Sequence, residues 1–336
     1  MNNTGLSIVV IGRNEGARLA ACFESIRTAR HMPEPTELIY VDSHSTDGSP
    51  DCAASYGAKI VELAAGKISA ARARNAGWQA ATAPFLLFLD GDTILHPEFV
   101  SRALPEFADP SVAVIWGHRR EIRPEASIYN RVLDLDWIAP PGDSDFCGGD
   151  SLMRRDVLER TNGFDATLIA GEEPDLCRRI RGMGGRILHI DAPMTGHDLA
   201  LYRVSQYWRR AVRTGHAYAE VAARYRDTSD PLWSRESRKN LIQGSLYVLF
   251  AAGIFAAALL RHSWIPVLVG AIITAALVVK TAIAFRWKAL PWPTLVAFGI
   301  HSHVQHVPIL IGQLVYFGRH WRGQSQLLIE YKAKSS

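Results

Sequence analysis

Two carboxylates separated by a single glycine close the apolar run Phe85-Leu86-Leu87-Phe88-Leu89-Asp90-Gly91-Asp92. In extended chain, side chains two residues apart project to the same side. Asp90 and Asp92 can therefore converge on one hard divalent cation that also takes phosphate oxygens. The competing reading is a solvated Asp-Gly turn. A second acid, Asp42, ends the run Ile39-Tyr40-Val41 and leads into the polar turn Ser43-His44-Ser45-Thr46-Asp47-Gly48. A carboxylate there can accept a hydrogen bond from a nucleobase or a ribose, while capping of the following helix fits Asp47 or Ser49 better. Asn14-Glu15-Gly16 follows the first apolar run and can line the same crevice, and Lys67, Arg72 and Arg74 offer cations to a diphosphate.

Positioning such groups requires elements that end side by side. Leu6–Ile11, Leu38–Val41, Lys59–Glu62 and Phe85–Leu89 read as strands, with helices over Arg18–Arg30, Ser49–Tyr56 and Ser69–Ala81 between them. Strands that are apolar at nearly every residue are buried on both faces, so an α/β fold with a mostly parallel sheet covered by helices is expected. In such sheets the ligand sits at the carboxyl ends of the strands, where Asp42 and Asp90 fall.

The ordered motifs IVVIGRNEG, IYVDSHSTDG, ARARNAG, FLLFLDGDT, CGGDSLMRRDVLERTNGFD and AGEEPDLCRRIR resemble the family 2 glycosyltransferases of GT-A fold over roughly residues 6–200. The resemblance implies inverting transfer from a nucleotide-diphosphate sugar with Mg2+ or Mn2+. It places Asp42 near the base, Asp90 and Asp92 at the metal and ribose, and Glu172 and Glu173 on the acceptor side; with Asp42 and Asp90, the residues Asn14, Glu15, Lys67, Arg74 and Gly149 are the expected contacts of the nucleotide sugar. The family usually has Asp where Glu173 stands, and often a second Asp at Ser43. Inversion at an anomeric carbon needs a base for the acceptor hydroxyl, and Glu173 is the expected one. Glu172 and Asp175 are further candidates, although an acid at a helix N-terminus also serves the helix dipole, a role that suits Asp175. The departing diphosphate needs a metal and a cation placed beforehand. His197 is either a third metal ligand or phosphate contact, or a packed side chain.

The 336 residues carry 37 Lys+Arg against 33 Asp+Glu, an excess too small to suggest a nucleic-acid partner. Cys22, Cys52, Cys147 and Cys177 form no CxxC pair, which fits a reduced compartment and no zinc site. Apolar segments crowd the last third: Leu241–Leu260, Ile265–Phe285 with only Lys280 charged, and Thr294–Phe317 with His301, His303 and His306. The first two have the length and composition of membrane spans. Lys and Arg flank them on the domain side, and no basic leader precedes the domain. The expected organisation is a catalytic domain over 1–200 on the cytoplasmic face of the inner membrane, linker helices over 201–240, a membrane region over 241–318 and a basic cytoplasmic tail over 319–336. With the tail inside, Thr294–Phe317 is expected to be re-entrant, interfacial or packed under the domain. Gln206-Tyr207-Trp208-Arg209-Arg210 only faintly echoes the QxxRW element of processive polysaccharide synthases. A single transfer to a lipid-linked or amphiphilic acceptor is therefore preferred over that alternative. A nucleotidyltransferase would need a glycine-rich basic loop where Gly12-Arg13-Asn14-Glu15-Gly16 stands. A non-catalytic nucleotide-sugar sensor tethered to the membrane would not need the acids.

Overall fold

The computed structural model describes residues 5–168, 170–288 and 291–324. In chain order the strands are β1 (Leu6–Gly12), β2 (Thr36–Asp42), β3 (Lys59–Glu62), β4 (Phe85–Asp90), β5 (Thr93–Leu95), β6 (Val112–Glu121), β7 (Gly142–Asp143), β8 (Ser151–Arg154) and β9 (Arg186–His197). The helices are α1 (Ala17–Arg27), α2 (Ser49–Ser55), α3 (Ala70–Ala80), α4 (Phe99–Ala103), α5 (Ile128–Asp134), α6 (Arg155–Thr161), α7 (Glu172–Gly182), α8 (Val204–Arg224), α9 (Ser234–Leu260), α10 (Ile265–Ala284), α11 (Trp292–Val304) and α12 (His306–Trp321). The described residues divide into two compact units, one from 5–122 with 137–199 and the other from Arg123–Asp136 with 200–324.

The first unit holds the whole sheet, in the order β3-β2-β1-β4-β8-β6-β9-β5, with β7 paired to β9. The β3-β2-β1-β4 half is parallel throughout. Its strands alternate between two cores: Val9, Ile11, Ile39 and Val41 meet Trp78 of α3, Leu158 of α6 and Ile180 of α7. Ile8, Val10 and Tyr40 meet Leu19 and Phe23 of α1 and Phe99 of α4. Each face is sealed by helices, which is why these strands read as continuous apolar runs. Beyond β4 the direction becomes mixed, because β8 is antiparallel to both β4 and β6 while β6 and β9 are parallel.

The second unit is helical. Among its helices, α8 and α12 approach closely: a Cβ built on Gly215 would lie 2.0 Å from the Ile309 carbonyl, and one on Gly312 2.0 Å from the Val212 carbonyl. Such contact between backbones admits only the smallest residue. Three helical stretches are long and apolar enough to cross a bilayer, Ser234–Leu260, Ile265–Ala284 and Trp292–Trp321. In the third, α11 and α12 meet at Gln305, and 44% of its most apolar window is buried against 6% and 17% in the other two. Its histidines have partners within the same unit. His301 bonds the Tyr207 hydroxyl at 2.9 Å and lies 3.2 Å from Asp136. His303 bonds Tyr247 and, at 3.0 Å, Thr281, and the ring of His306 stacks on that of Tyr247. Polar groups of an apolar segment thus face protein. The tail beyond residue 324 lies outside the described residues.

Candidate active site

The strands β1, β2 and β4 run parallel and end together, so the residues after them share one rim. Two loops there are knitted to each other: Asn14 donates its backbone N–H to Ser45 Oγ at 3.0 Å and accepts from the Thr46 N–H at 2.7 Å. Asp42, buried at the end of β2, accepts from the Ser45 N–H at 2.8 Å and the Tyr40 hydroxyl at 3.2 Å. Asn14 holds a left-handed φ of 55°, which asparagine tolerates better than most residues. Glu15 turns back to pair with Arg18 at 2.8 Å.

At the end of β4 the charges concentrate. Arg74, projecting from α3, is buried and bonds three carboxylates at once: Glu172 at 2.9 Å, Glu173 at 3.0 Å and Asp90 at 3.0 Å. Burial alone would weaken its charge, but Glu173, Asp90 and Glu172 together hold the guanidinium firmly protonated. Gly149 packs against this cluster: a Cβ there would lie 2.5 Å from Arg74 Nη2 and 3.2 Å from both Asp90 Oδ2 and Glu173 Oε1. The need for glycine is steric.

Within the acidic start of α7, the side chains divide by exposure: Asp175 0%, Glu172 7% and Glu173 19%. Asp175 is clamped by Arg179, one turn further along α7, at 2.7 Å. Glu173 keeps the most exposure of the three, yet burial, followed by repulsion from Glu172 and offset in part by Arg74, pushes its pKa from 4.5 up to about 7.

Asp90, Asp92 and His197 form a second cluster, with one ligand atom from each lying within 4.8 Å of the others. His197 comes from the end of β9, which the β5–β9 pairing sets opposite Thr93. Two carboxylates and an imidazole at these separations fit a divalent cation. The structure thus groups Arg74, Asp90, Asp92, Gly149, Glu172, Glu173 and His197, with Asn14 and Asp42 on the neighbouring loops. One cation assigned to the diphosphate is already engaged. Arg72 spends its guanidinium on the carbonyls of Ala64, Ala65 and Lys67, and Lys67 is exposed on that loop.

Four residues escaped the sequence reading. Asp150 is buried, accepts from the Asp90 N–H at 3.0 Å and Thr195 Oγ1 at 2.8 Å, and has its pKa raised, chiefly by burial. Arg119 of β6 lies 3.7 Å from Asp90 and 3.8 Å from Asp150, with its guanidinium 4.8 Å from the Trp137 ring centre. Asp150 follows Gly149 in the CGGD motif and was within reach of that reading. Arg119 and Thr195 carry no local signal, because only the pairing of β6 with β9 brings them in, and Trp137, outside the sheet at the end of the short helical turn Leu135–Trp137, reaches the site through Arg119 and His197.

Residues 7–161 match the model of the family described as Glycosyl transferase family 2. A pre-mycofactocin glycosyltransferase of Mycobacterium tuberculosis is 29% identical over 175 residues, 48% of this chain and 37% of that protein. The chain spans little more than a third of that relative's length. Among solved structures, a mannosyltransferase from Pyrobaculum calidifontis in complex with GDP-Man and Mn2+ superposes with a TM-score of 0.67 at 19% identity, covering 93% of this chain and 86% of that one. S. aureus TarS 1–349 in complex with UDP-GlcNAc gives 0.51 at 13% identity, covering 96% and 93%. Residues 7–161 are thus similar to family 2 glycosyltransferase domains, and the chain shares its fold with these glycosyltransferase structures.

Proposed function

We propose that the protein is an inverting glycosyltransferase. In this reading it moves a sugar from a nucleotide-diphosphate donor to a lipid-linked or amphiphilic acceptor, at the cytoplasmic face of the inner membrane. The observation that carries the reading is the charge arrangement at the end of β4, where Asp90, Asp92 and His197 cluster beside a carboxylate, Glu173, whose proton affinity lies near neutrality. The bound nucleotide sugars and Mn2+ of the structural relatives support the donor and metal classes. The three long apolar helices support the membrane setting.

Asp90, Asp92 and His197 would hold a divalent cation, Mg2+ or Mn2+, which when bound neutralises charge on the leaving diphosphate. Asn14, Asp42 and the loops they brace receive the nucleoside. Glu173 takes the proton of the acceptor hydroxyl as that oxygen bonds to the anomeric carbon from the face opposite the diphosphate, and the bond from that carbon to the phosphate oxygen breaks. Arg74 fixes the orientation of Glu173 and moderates its pKa, while Gly149 leaves room for the cluster. A carboxylate with a pKa of about 7 is well matched to base catalysis near neutral pH.

The test is to incubate detergent-solubilised full-length protein and membranes containing it with Mn2+ and a panel of labelled nucleotide sugars, then analyse the lipid extract. Label in the extract that disappears with Glu173→Gln supports the reading. No transfer from any donor in the panel, in a protein that is folded, overturns it.

A further inference from the structure

A cavity of about 580 Å³ opens in the first unit between β5, β6 and β9, lined in part by Ile94, Arg119, Arg120, Ile122, Trp137 and Ile138. Its volume is that of a ligand pocket. Three contacts join it to the acid cluster: Arg119 lies beside Asp90 and Asp150, Thr195 of its wall bonds Asp150, and the Trp137 ring is 5.3 Å from that of His197.

Position in the sheet says which substrate it serves. Asp42 ends β2, two strands from β4, and Arg119 lies on β6, two strands from β4 on the other side. At about 4.8 Å per strand, the nucleoside loops and the cavity flank Asp90 from opposite directions, each about 10 Å away. A donor anchored at Asp42 and directed toward Asp90 leaves the cavity to the second substrate.

The lining says what that substrate is. Its walls are mostly apolar, and its charged side chains are Arg119, Arg120 and Glu121, with His96 and His118 beside them. Glu121 accepts from the Leu199 N–H at 2.8 Å and His118 pairs with Asp191 at 2.8 Å. Arg120 is exposed at the rim. Arg119 contrasts with Arg74: it meets its carboxylates at 3.7 and 3.8 Å rather than 2.9–3.0 Å, and its buried Nε makes no hydrogen bond. A guanidinium held against an indole keeps its fork available to a planar or tetrahedral anion. We propose that this cavity is the acceptor subsite, that Trp137 is its specificity-determining wall, and that it selects an amphiphile bearing a phosphate-type anion next to the accepting hydroxyl. The inference rests on the glycosyltransferase reading above.

The test uses phenyl phosphate as probe, with phenyl β-glucoside and inorganic phosphate as controls, titrated calorimetrically into full-length protein in detergent. Saturating Mn2+ with GDP or UDP keeps the probe off the donor site. The expected result is phenyl phosphate binding at least about tenfold tighter than either control. Trp137→Ala and Arg120→Gln should each weaken it several-fold or more, and Trp137→Phe should restore most of it, because an aromatic wall is kept. Nucleoside diphosphate binding should stay unchanged in Arg120→Gln and Trp137→Phe, and should change far less than probe binding in Trp137→Ala. Equal probe affinity in Trp137→Ala and the parent protein overturns the subsite, and glucoside binding as tight as phenyl phosphate overturns the anionic class. Failure of the parent protein to bind either nucleoside diphosphate with Mn2+ would instead sink the glycosyltransferase reading, so the two failures are distinguishable.

Discussion

The pKa of Glu173 makes a prediction about rate. At about 7, raised by burial and by Glu172, the carboxylate is only about a tenth ionised at pH 6 and about nine tenths ionised at pH 8, whereas an ordinary glutamate is essentially fully ionised throughout. If Glu173 is the base, transfer in single turnovers with donor and Mn2+ saturating should rise about tenfold from pH 6 to pH 8 and then level off. Arg74→Met removes the cation 3.0 Å away that lowers this pKa, so the rise should move to higher pH. Glu173→Gln should abolish the rise together with about 10²–10⁴ of the rate. Folding has the opposite sign. Between pH 4.5 and 7 the folded chain binds a proton on Glu173 that the unfolded chain has released, so this group's contribution to stability diminishes as pH rises through that window. The assay is rapid-quench transfer of labelled sugar across pH 5.5–8.5 at constant ionic strength. A flat profile between pH 6 and 8, or an unshifted one in Arg74→Met, would refute the assignment of Glu173 and transfer the role to Glu172.

Asp92→Ala should abolish turnover with a thermal unfolding midpoint close to that of the parent protein, and excess chelator should do the same reversibly; full activity in chelator would end the metal assignment. Gly149→Ala would place a methyl group 2.5 Å from Arg74 Nη2, and the displaced guanidinium should cost at least about tenfold in rate, with a pH profile shifted upward, checked against donor affinity on the same sample. Gly312→Leu would drive a side chain into the Val212 carbonyl and should destabilise by about 1–3 kcal/mol or more, read as a lower unfolding temperature in detergent. Single cysteines placed in the 261–264 loop or after residue 325, in a background without the four native ones, should be labelled by an impermeant thiol reagent on intact cells only at the loop. Labelling at the tail would show that the 292–321 stretch crosses fully.

Features that depend on neighbours along the chain are legible in the amino-acid order. Continuous apolar runs identify β1, β2 and β4 because a strand covered on both faces has no polar side to show. Acids ending such runs, Asp42 and Asp90, mark the candidate rim because a buried strand does not tolerate charge without cause. Length and apolarity mark the helices Ser234–Leu260 and Ile265–Ala284 in the same local way. Tertiary structure alone decided which distant groups meet. Arg74 reads locally as one of several basic residues near a diphosphate, yet it bonds Glu172 and Glu173, 98 and 99 positions later. The pairing of β6 with β9 brings Arg119 beside Thr195, and that of β5 with β9 sets His197 at the acids. The pKa of Glu173 belongs to this second class. Desolvation and Coulomb interaction depend on distance through space, and that distance is set only when the chain closes on itself.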